Sequence, residues 1–222
     1  MRGRFITFEG GEGTGKSTQA KLLAQRLRSH DIDVVLTREP GGSTGADIIR
    51  HVILSGAAKP FGADAEAILF AAARDDHLRE TIRPALARGT WVISDRFADS
   101  TRIYQGVLGS VDLKLIRALE RVVVGLDRPD LTLILDVPAD LGLKRAAKRR
   151  GDGQADRFEA EDLSFHTRLR EGFLALAAAE PERCVVIDTT LPRHEVADLI
   201  WSVVLARLEP VKIAPMPQQA AL

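Results

Sequence analysis

The chain has no asparagine, a single cysteine and no excess of either charge. Each absence removes a class of protein. Without asparagine there is no N-K-x-D, the guanine-reading motif of nucleotide switches, and no aspartate has a glycine three positions on, so D-x-x-G is missing as well. Cys184 alone cannot build a disulfide framework, which makes a reducing cytoplasm the expected setting. Lys plus Arg number 31 and Asp plus Glu number 31, so the overall charge calls for neither nucleic acid nor an anionic membrane as partner. The longest apolar stretch, residues 199–206, is interrupted by Ser202 and falls short of the ~18 residues of a membrane span. The first strand pattern starts within a few residues of Met1, with no signal-peptide core before it.

What is present is organised around Gly10-Gly11-Glu12-Gly13-Thr14-Gly15-Lys16-Ser17, which fits the phosphate-loop pattern G-x-x-x-x-G-K-[ST]. Residues 4–9 (RFITFE) read as a short buried strand before it. After it, Ala20, Leu23, Ala24 and Leu27 recur at helical spacing. Glycines let backbone N–H groups turn toward a phosphate, and the helix N-terminus adds its partial positive charge. Gly10 to Thr18 is therefore the expected ATP cradle, with Lys16 reaching the β- and γ-phosphates and the Ser17 hydroxyl on Mg²⁺.

Strand and helix patterns alternate along the rest of the chain. Strands are expected at residues 33–37, 90–95, 131–136 and 184–188. Helices are expected at 44–54, 64–88 (bent near Pro84), 111–123, 139–149, 162–179 and 193–208. This predicts an α/β fold of one P-loop domain over residues 1–209, a parallel sheet of about five strands covered by helices on both faces. Residues 210–222, with three prolines and two glutamines, read as a loose tail. Ligands should collect beyond the carboxyl ends of the strands.

Several groups there carry chemistry. Asp95 ends an apolar strand, where an acid in a phosphate-loop protein contacts the Mg²⁺ shell, and Arg96 beside it can fork onto a phosphate. In a helix, Ser100, Thr101, Tyr104 and Gln105 would share a face able to read a base and a sugar, or simply a polar solvent face. Phe70 and Arg74 are neighbours at i and i+4, and the pattern alone favours a core Phe70 with a surface Arg74. Glu12 is a carboxylate inside a phosphate cradle; a sugar hydroxyl, a metal-bound water or plain exposure would each accommodate it. Lys144, Arg145, Lys148, Arg149 and Arg150 form a basic run, with Arg157 after a Gly151–Gly153 break. The segment 144–159 is either a lid closing over a triphosphate or a solvated charged face. Glu39 could serve as the base of a nucleoside kinase, the nearest enzymatic rival.

Taken together, FEGGEGTGKSTQ (8–19), TREPGG (37–42), LFAA (69–72), DRF (95–97), YQG (104–106), PDLT (129–132) and DRFE (156–159) resemble bacterial thymidylate kinases over nearly the whole chain. The resemblance implies a nucleoside monophosphate kinase fold, a homodimer, and ATP with Mg²⁺. It implies that Phe70 stacks on thymine while Arg74 bonds the base edge. Ser100, Thr101 and Gln105 would recognise thymidine, with Tyr104 against the sugar. Arg96 would hold the acceptor phosphate, Glu12 would meet the sugar 3′-hydroxyl, and Arg50 would lie near the nucleotide. Arg149 or Arg150, with Arg157, would supply the lid arginines. Departures from the family pattern are Ala73 before Arg74, Thr101 in place of serine, and a basic run one residue longer than usual.

Overall fold

The structure is a computed structural model and describes residues 2–151, 153 and 158–209. Five strands form one parallel sheet: β1 (Phe5–Glu9), β2 (Val34–Arg38), β3 (Trp91–Asp95), β4 (Leu131–Asp136) and β5 (Cys184–Asp188), in the order β2-β3-β1-β4-β5. The expected strands are all present, within one residue at each end. Arg38 is added to β2 because it pairs with Asp95 across the β2–β3 ladder. β1 lies at the centre, with β3 on one side and β4 on the other. A chain that must leave β1 in one direction and later return to its other side opens a crevice beyond the strand ends.

Alternation along β1 sends side chains to two cores. Ile6 and Phe8 pack with Leu23 and Leu27 of α1 (Lys16–Arg28) and with Ile200, Trp201 and Val204 of α9 (Arg193–Leu208). Phe5 joins the opposite core with Leu78, Ile82, Leu86 and Phe97. On that side run α2 (Thr44–Leu54), α3 (Gly62–His77), α4 (Arg83–Ala87), the short α5 (Ala98–Thr101) and α6 (Leu113–Val123). A third cluster seats Ile134 of β4 against Phe173 of α8 (Leu163–Ala179). α7 (Ala139–Arg150) follows β4.

The helix expected over 64–88 is not uniform. α3 runs into a π-helical turn, Leu78–Ile82, and α4 follows. Pro84 has no N–H to donate and its ring crowds the carbonyl four residues back, so the wide turn just ahead of it takes up the mismatch. A second π-helical segment, Arg102–Leu108, continues α5. Wide turns of this kind are common at functional sites, and this one carries Tyr104 and Gln105. Among the described residues no helix is long and apolar enough to cross a membrane. Residues 210–222, expected as a tail, lie outside the described residues.

Candidate active site

The phosphate loop is shaped by contacts only glycine permits. A Cβ on Gly13 (φ 67°) would sit 1.9 Å from the Gly142 carbonyl oxygen, and one on Gly10 (φ 128°) would lie 2.4 Å from that of Leu135. The loop is thereby clamped between β4 and α7. α1 begins at Lys16 behind Gly15, with no side chain capping its first turn and no acid in it, so its positive end stays available to an anion. Lys16 Nζ donates to the Gly10 and Gly11 carbonyls at 3.1 and 2.6 Å and to Thr14 Oγ1 at 3.4 Å. Burial, and then the Arg96 charge, lower Lys16 to about 8.

Ser17 Oγ donates to Asp95 Oδ2. A hydroxyl and a carboxylate converging at the mouth of a phosphate loop are hard oxygen donors of the kind Mg²⁺ takes. Among the described residues no cluster of three His, Cys, Asp or Glu side chains could hold a metal unaided.

Arg96 follows Asp95 in a left-handed conformation (φ 71°), rare for a residue with a side chain. Its backbone is pinned there. Arg96 N donates to the Phe8 carbonyl at 2.9 Å, Ser94 Oγ to the Arg96 carbonyl at 2.8 Å, and Phe97 N to the buried Glu9 carboxylate at 2.7 Å. The guanidinium then reaches Glu12 Oε1 at 2.6 Å, Ser100 Oγ at 3.2 Å and the Gly10 carbonyl at 3.3 Å. Glu12 also accepts from the Tyr104 hydroxyl at 3.1 Å. Burial alone would raise the Glu12 carboxyl, but the Arg96 and Lys16 charges and the Tyr104 hydroxyl outweigh it and bring Glu12 down to about 2. The anomalous carboxylate of the loop is thus matched to Arg96. Burial raises Tyr104 above the usual phenol range, so its hydroxyl stays a donor.

One cleft of about 220 Å³ gathers these groups. Glu12, Ser17, Asp95 and Arg96 line it, and so do Arg50, Phe70, Arg74, Ser100, Thr101, Tyr104 and Gln105. The four polar residues of 100–105 therefore face the cleft rather than solvent, although the turn carrying them is partly π-helical. The pattern-based expectation for the α3 pair is reversed. Phe70 is half-buried in the cleft wall, and Arg74 is buried, 5% exposed. Arg74 Nε donates to Glu39 Oε2 at 2.8 Å, and Nη2 donates to Thr101 Oγ1 at 2.9 Å and the Phe97 carbonyl at 3.3 Å. Arg50 Nη1 donates to the Pro40 carbonyl at 2.6 Å.

The basic run divides. Lys144 pairs with Asp140, Arg145 donates to the Thr189 carbonyl, and Arg149 and Arg150 each reach one oxygen of Glu159, at 2.7 and 2.9 Å. Arg157 lies outside the described residues. Sequence reasoning gave no role to Arg38, which lines the cleft, or to Glu9 and His77, which support it from beneath. Arg38 was noted only as part of TREPGG; the one sequence signal that could have found His77 is its spacing of one helical turn from Arg74.

A loop suited to a triphosphate and a cleft with arginines for a second anion share one wall, formed by Glu12 and Ser17. An α/β protein built in this way is a P-loop nucleoside monophosphate kinase. The thymidylate kinase family model matches residues 8–200, and the chain belongs to that family. It is 59% identical over 202 residues to the thymidylate kinase of Nitrobacter winogradskyi, covering 91% of this chain and 88% of that one. It is 60% identical over 207 residues to that of Bradyrhizobium sp. strain BTAi1, covering 93% and 92%. The crystal structure of thymidylate kinase from Ehrlichia chaffeensis superposes with a TM-score of 0.73 at 34% identity, over 92% of this chain and 99% of that chain.

Proposed function

We propose that the protein transfers the γ-phosphoryl group of ATP to dTMP, giving dTDP and ADP, a step toward dTTP for DNA synthesis. The observation that carries this reading is the single cleft that brings Phe70, Arg74, Thr101 and Gln105 together with Arg96 and the phosphate loop. An acceptor monophosphate, with its second pKa near ~6, is already largely a dianion at neutral pH and needs no general base. The protein's task is to align two anions and neutralise the charge between them. Lys16 and the backbone of Gly10 to Thr18 hold ATP, and Arg96 holds the acceptor phosphate. Phe70 stacks on thymine and Arg74 bonds its edge. Ser100, Thr101 and Gln105 recognise the nucleoside with Tyr104 against the sugar, Glu12 meets the 3′-hydroxyl, and Arg50 lies near the nucleotide. Ser17 and Asp95 hold Mg²⁺, which supplies positive charge to the phosphates when bound. Arg149 or Arg150, with Arg157, supplies the lid arginine for the transition state.

A nucleoside kinase would need a carboxylate to take a proton from a neutral hydroxyl. Glu39 has both oxygens engaged, by Arg74 and His77, and Glu12 is held down at about 2. Both observations favour the monophosphate acceptor. The working unit in this reading is one kinase domain over residues 1–209 with its lid at 144–159, active as a homodimer in the cytoplasm. Exposed Ile48 and Val52 on α2 and Ile68 on α3 support the dimer.

The test is direct product analysis. The protein incubated with ATP, Mg²⁺ and dTMP should yield dTDP and ADP in equal amounts. Lys16→Ala should cut turnover by orders of magnitude while circular dichroism stays native, because Lys16 belongs to the site and not to the apolar core. Absence of dTDP, or undiminished turnover in Lys16→Ala, would contradict the assignment.

A further inference from the structure

His77 is the last residue of α3 and is fully buried, yet the phosphoryl transfer described above does not use it. Its surroundings come from one short segment. Nδ1 lies 3.0 Å from Glu39 Oε1, so with a carboxylate as partner Nδ1 carries a proton and donates it. Nε2 lies 2.8 Å from Thr37 Oγ1. Gly42 (φ 92°) closes the pocket: a Cβ there would meet Thr37 Oγ1 at 2.4 Å and His77 Nε2 at 2.5 Å. The Gly42 carbonyl accepts from Thr81 Oγ1 at 2.8 Å, which ties the same turn to the π-helical stretch after His77. Thr37, Glu39 and Gly42 of TREPGG thus surround one imidazole.

The consequence lies one bond further on. Glu39 gives its other oxygen to Arg74 Nε at 2.8 Å. Arg74 Nη2 is spent on Thr101 and the Phe97 carbonyl, while Nη1 has no protein acceptor among the described residues, and Arg74 lines the cleft. A guanidinium fixed on two of its three nitrogens presents the third in one orientation. The group it meets in a thymine edge is a carbonyl acceptor; cytosine places an amino donor at the same position.

We propose that His77 and Glu39 are positioning residues for base recognition: residues 37–42 form a socket that seats His77, and His77, through Glu39, fixes the direction in which Arg74 meets the acceptor's base. This rests on the reading of Arg74 as the base-edge residue. It gives Glu39 a role other than proton abstraction and explains why the threonine, the glutamate and the second glycine of this motif occur together.

The experiment is steady-state kinetics on His77→Asn, His77→Gln, Gly42→Ala and Arg74→Ala, each checked by thermal melting. Asn places its amide nitrogen near the position of Nδ1 and keeps the bond to Glu39; Gln reaches toward the Nε2 position and loses it. His77→Gln and Gly42→Ala should raise KM for dTMP on the order of tenfold, with KM for ATP and kcat changed less than about twofold. His77→Asn should restore KM for dTMP to near the wild-type value. Equal KM values for dTMP in the Asn and Gln variants would overturn the proposal, as would parallel rises in both substrates' KM. Should Gly42→Ala fail to fold, the Asn and Gln pair decides the matter alone. Arg74→Ala separates the two levels: unchanged KM for dTMP in that variant refutes the base-edge reading itself, whereas a raised KM beside an unaffected His77→Gln refutes only the positioning role.

Discussion

Buried charge is concentrated around the phosphate loop. Lys16, Glu12, Arg96 and Glu9 lie close together, and the Arg96 charge lowers each of the other three. Burial, then the neighbouring Asp99 charge, raise Glu9 to about 8, while burial and the Arg96 charge lower Lys16 to about 8. Only a protonated Lys16 pairs with phosphate, and kcat/KM reports the free enzyme. With the free-enzyme value lowered, kcat/KM for ATP should be full at neutral pH and fall as pH rises through about 8. Glu9 titrates in the same range, so the profile should be measured in Glu9→Gln too; a limb that persists there belongs to Lys16. A flat profile through that range would mean that Lys16 stays charged regardless of its surroundings. The residues of the loop were legible because their spacing is local. Arg74 was not: its partner Glu39 lies far off in sequence, on the segment after β2, and no helical period can report a salt bridge that drags an arginine inward. Glu9 went unassigned because its partners, Phe97 N and Ser100, follow β3, the strand beside β1 in the sheet but remote from it in sequence.

Among the elements, the strands were read almost to the residue, since a parallel sheet covered on both faces leaves short continuous apolar runs. The two π-helical stretches were invisible, because one extra residue in a turn changes phase without changing composition. The Ser100 to Gln105 face nonetheless survived, since α5 and the π-helical segment run on without a break. α7 was expected to end in bases, and it does; what sequence could not supply was how they are shared out. Arg149 and Arg150 both rest on Glu159, which holds two cations at the C-terminal end of α7. If one of them meets the transferring phosphoryl group, the Arg149→Ala/Arg150→Ala double variant should lose on the order of 10³–10⁵ in kcat, the range for an arginine in that role. KM for either substrate should change far less. Near-normal kcat in the double variant would reduce the basic end of α7 to a solvated surface and leave the charge to Lys16, Arg96 and Mg²⁺.

In the molecule as a whole, the cleft gathers residues beyond the carboxyl ends of β1, β2 and β3, and apolar side chains stand exposed on α2. Ile48 and Val52 lie four residues apart on α2 and share a face; they are 64% and 37% exposed. Arg50, on the same helix, lines the cleft, so α2 connects this exposed face to the cleft. Sedimentation should find a dimer, and Ile48→Glu with Val52→Glu should shift it to monomer at the same concentration. A monomeric wild-type protein, or a double variant that stays dimeric, would remove α2 from the interface. Quaternary structure was not legible in residue patterns, because an apolar side chain meant for a partner looks the same in sequence as one meant for the core.

In the proposed function this cleft takes a nucleotide already bearing a phosphate and recognises it by thymine. The most direct measurement is kcat/KM with saturating ATP–Mg²⁺ for dTMP, dUMP, dCMP, dGMP and unphosphorylated thymidine, followed by ADP release. dTMP should be the best acceptor and thymidine far poorer, since it offers Arg96 no anion. Thymidine turned over faster than dTMP, or dCMP or dGMP preferred over it, would rule out a thymidylate-specific cleft.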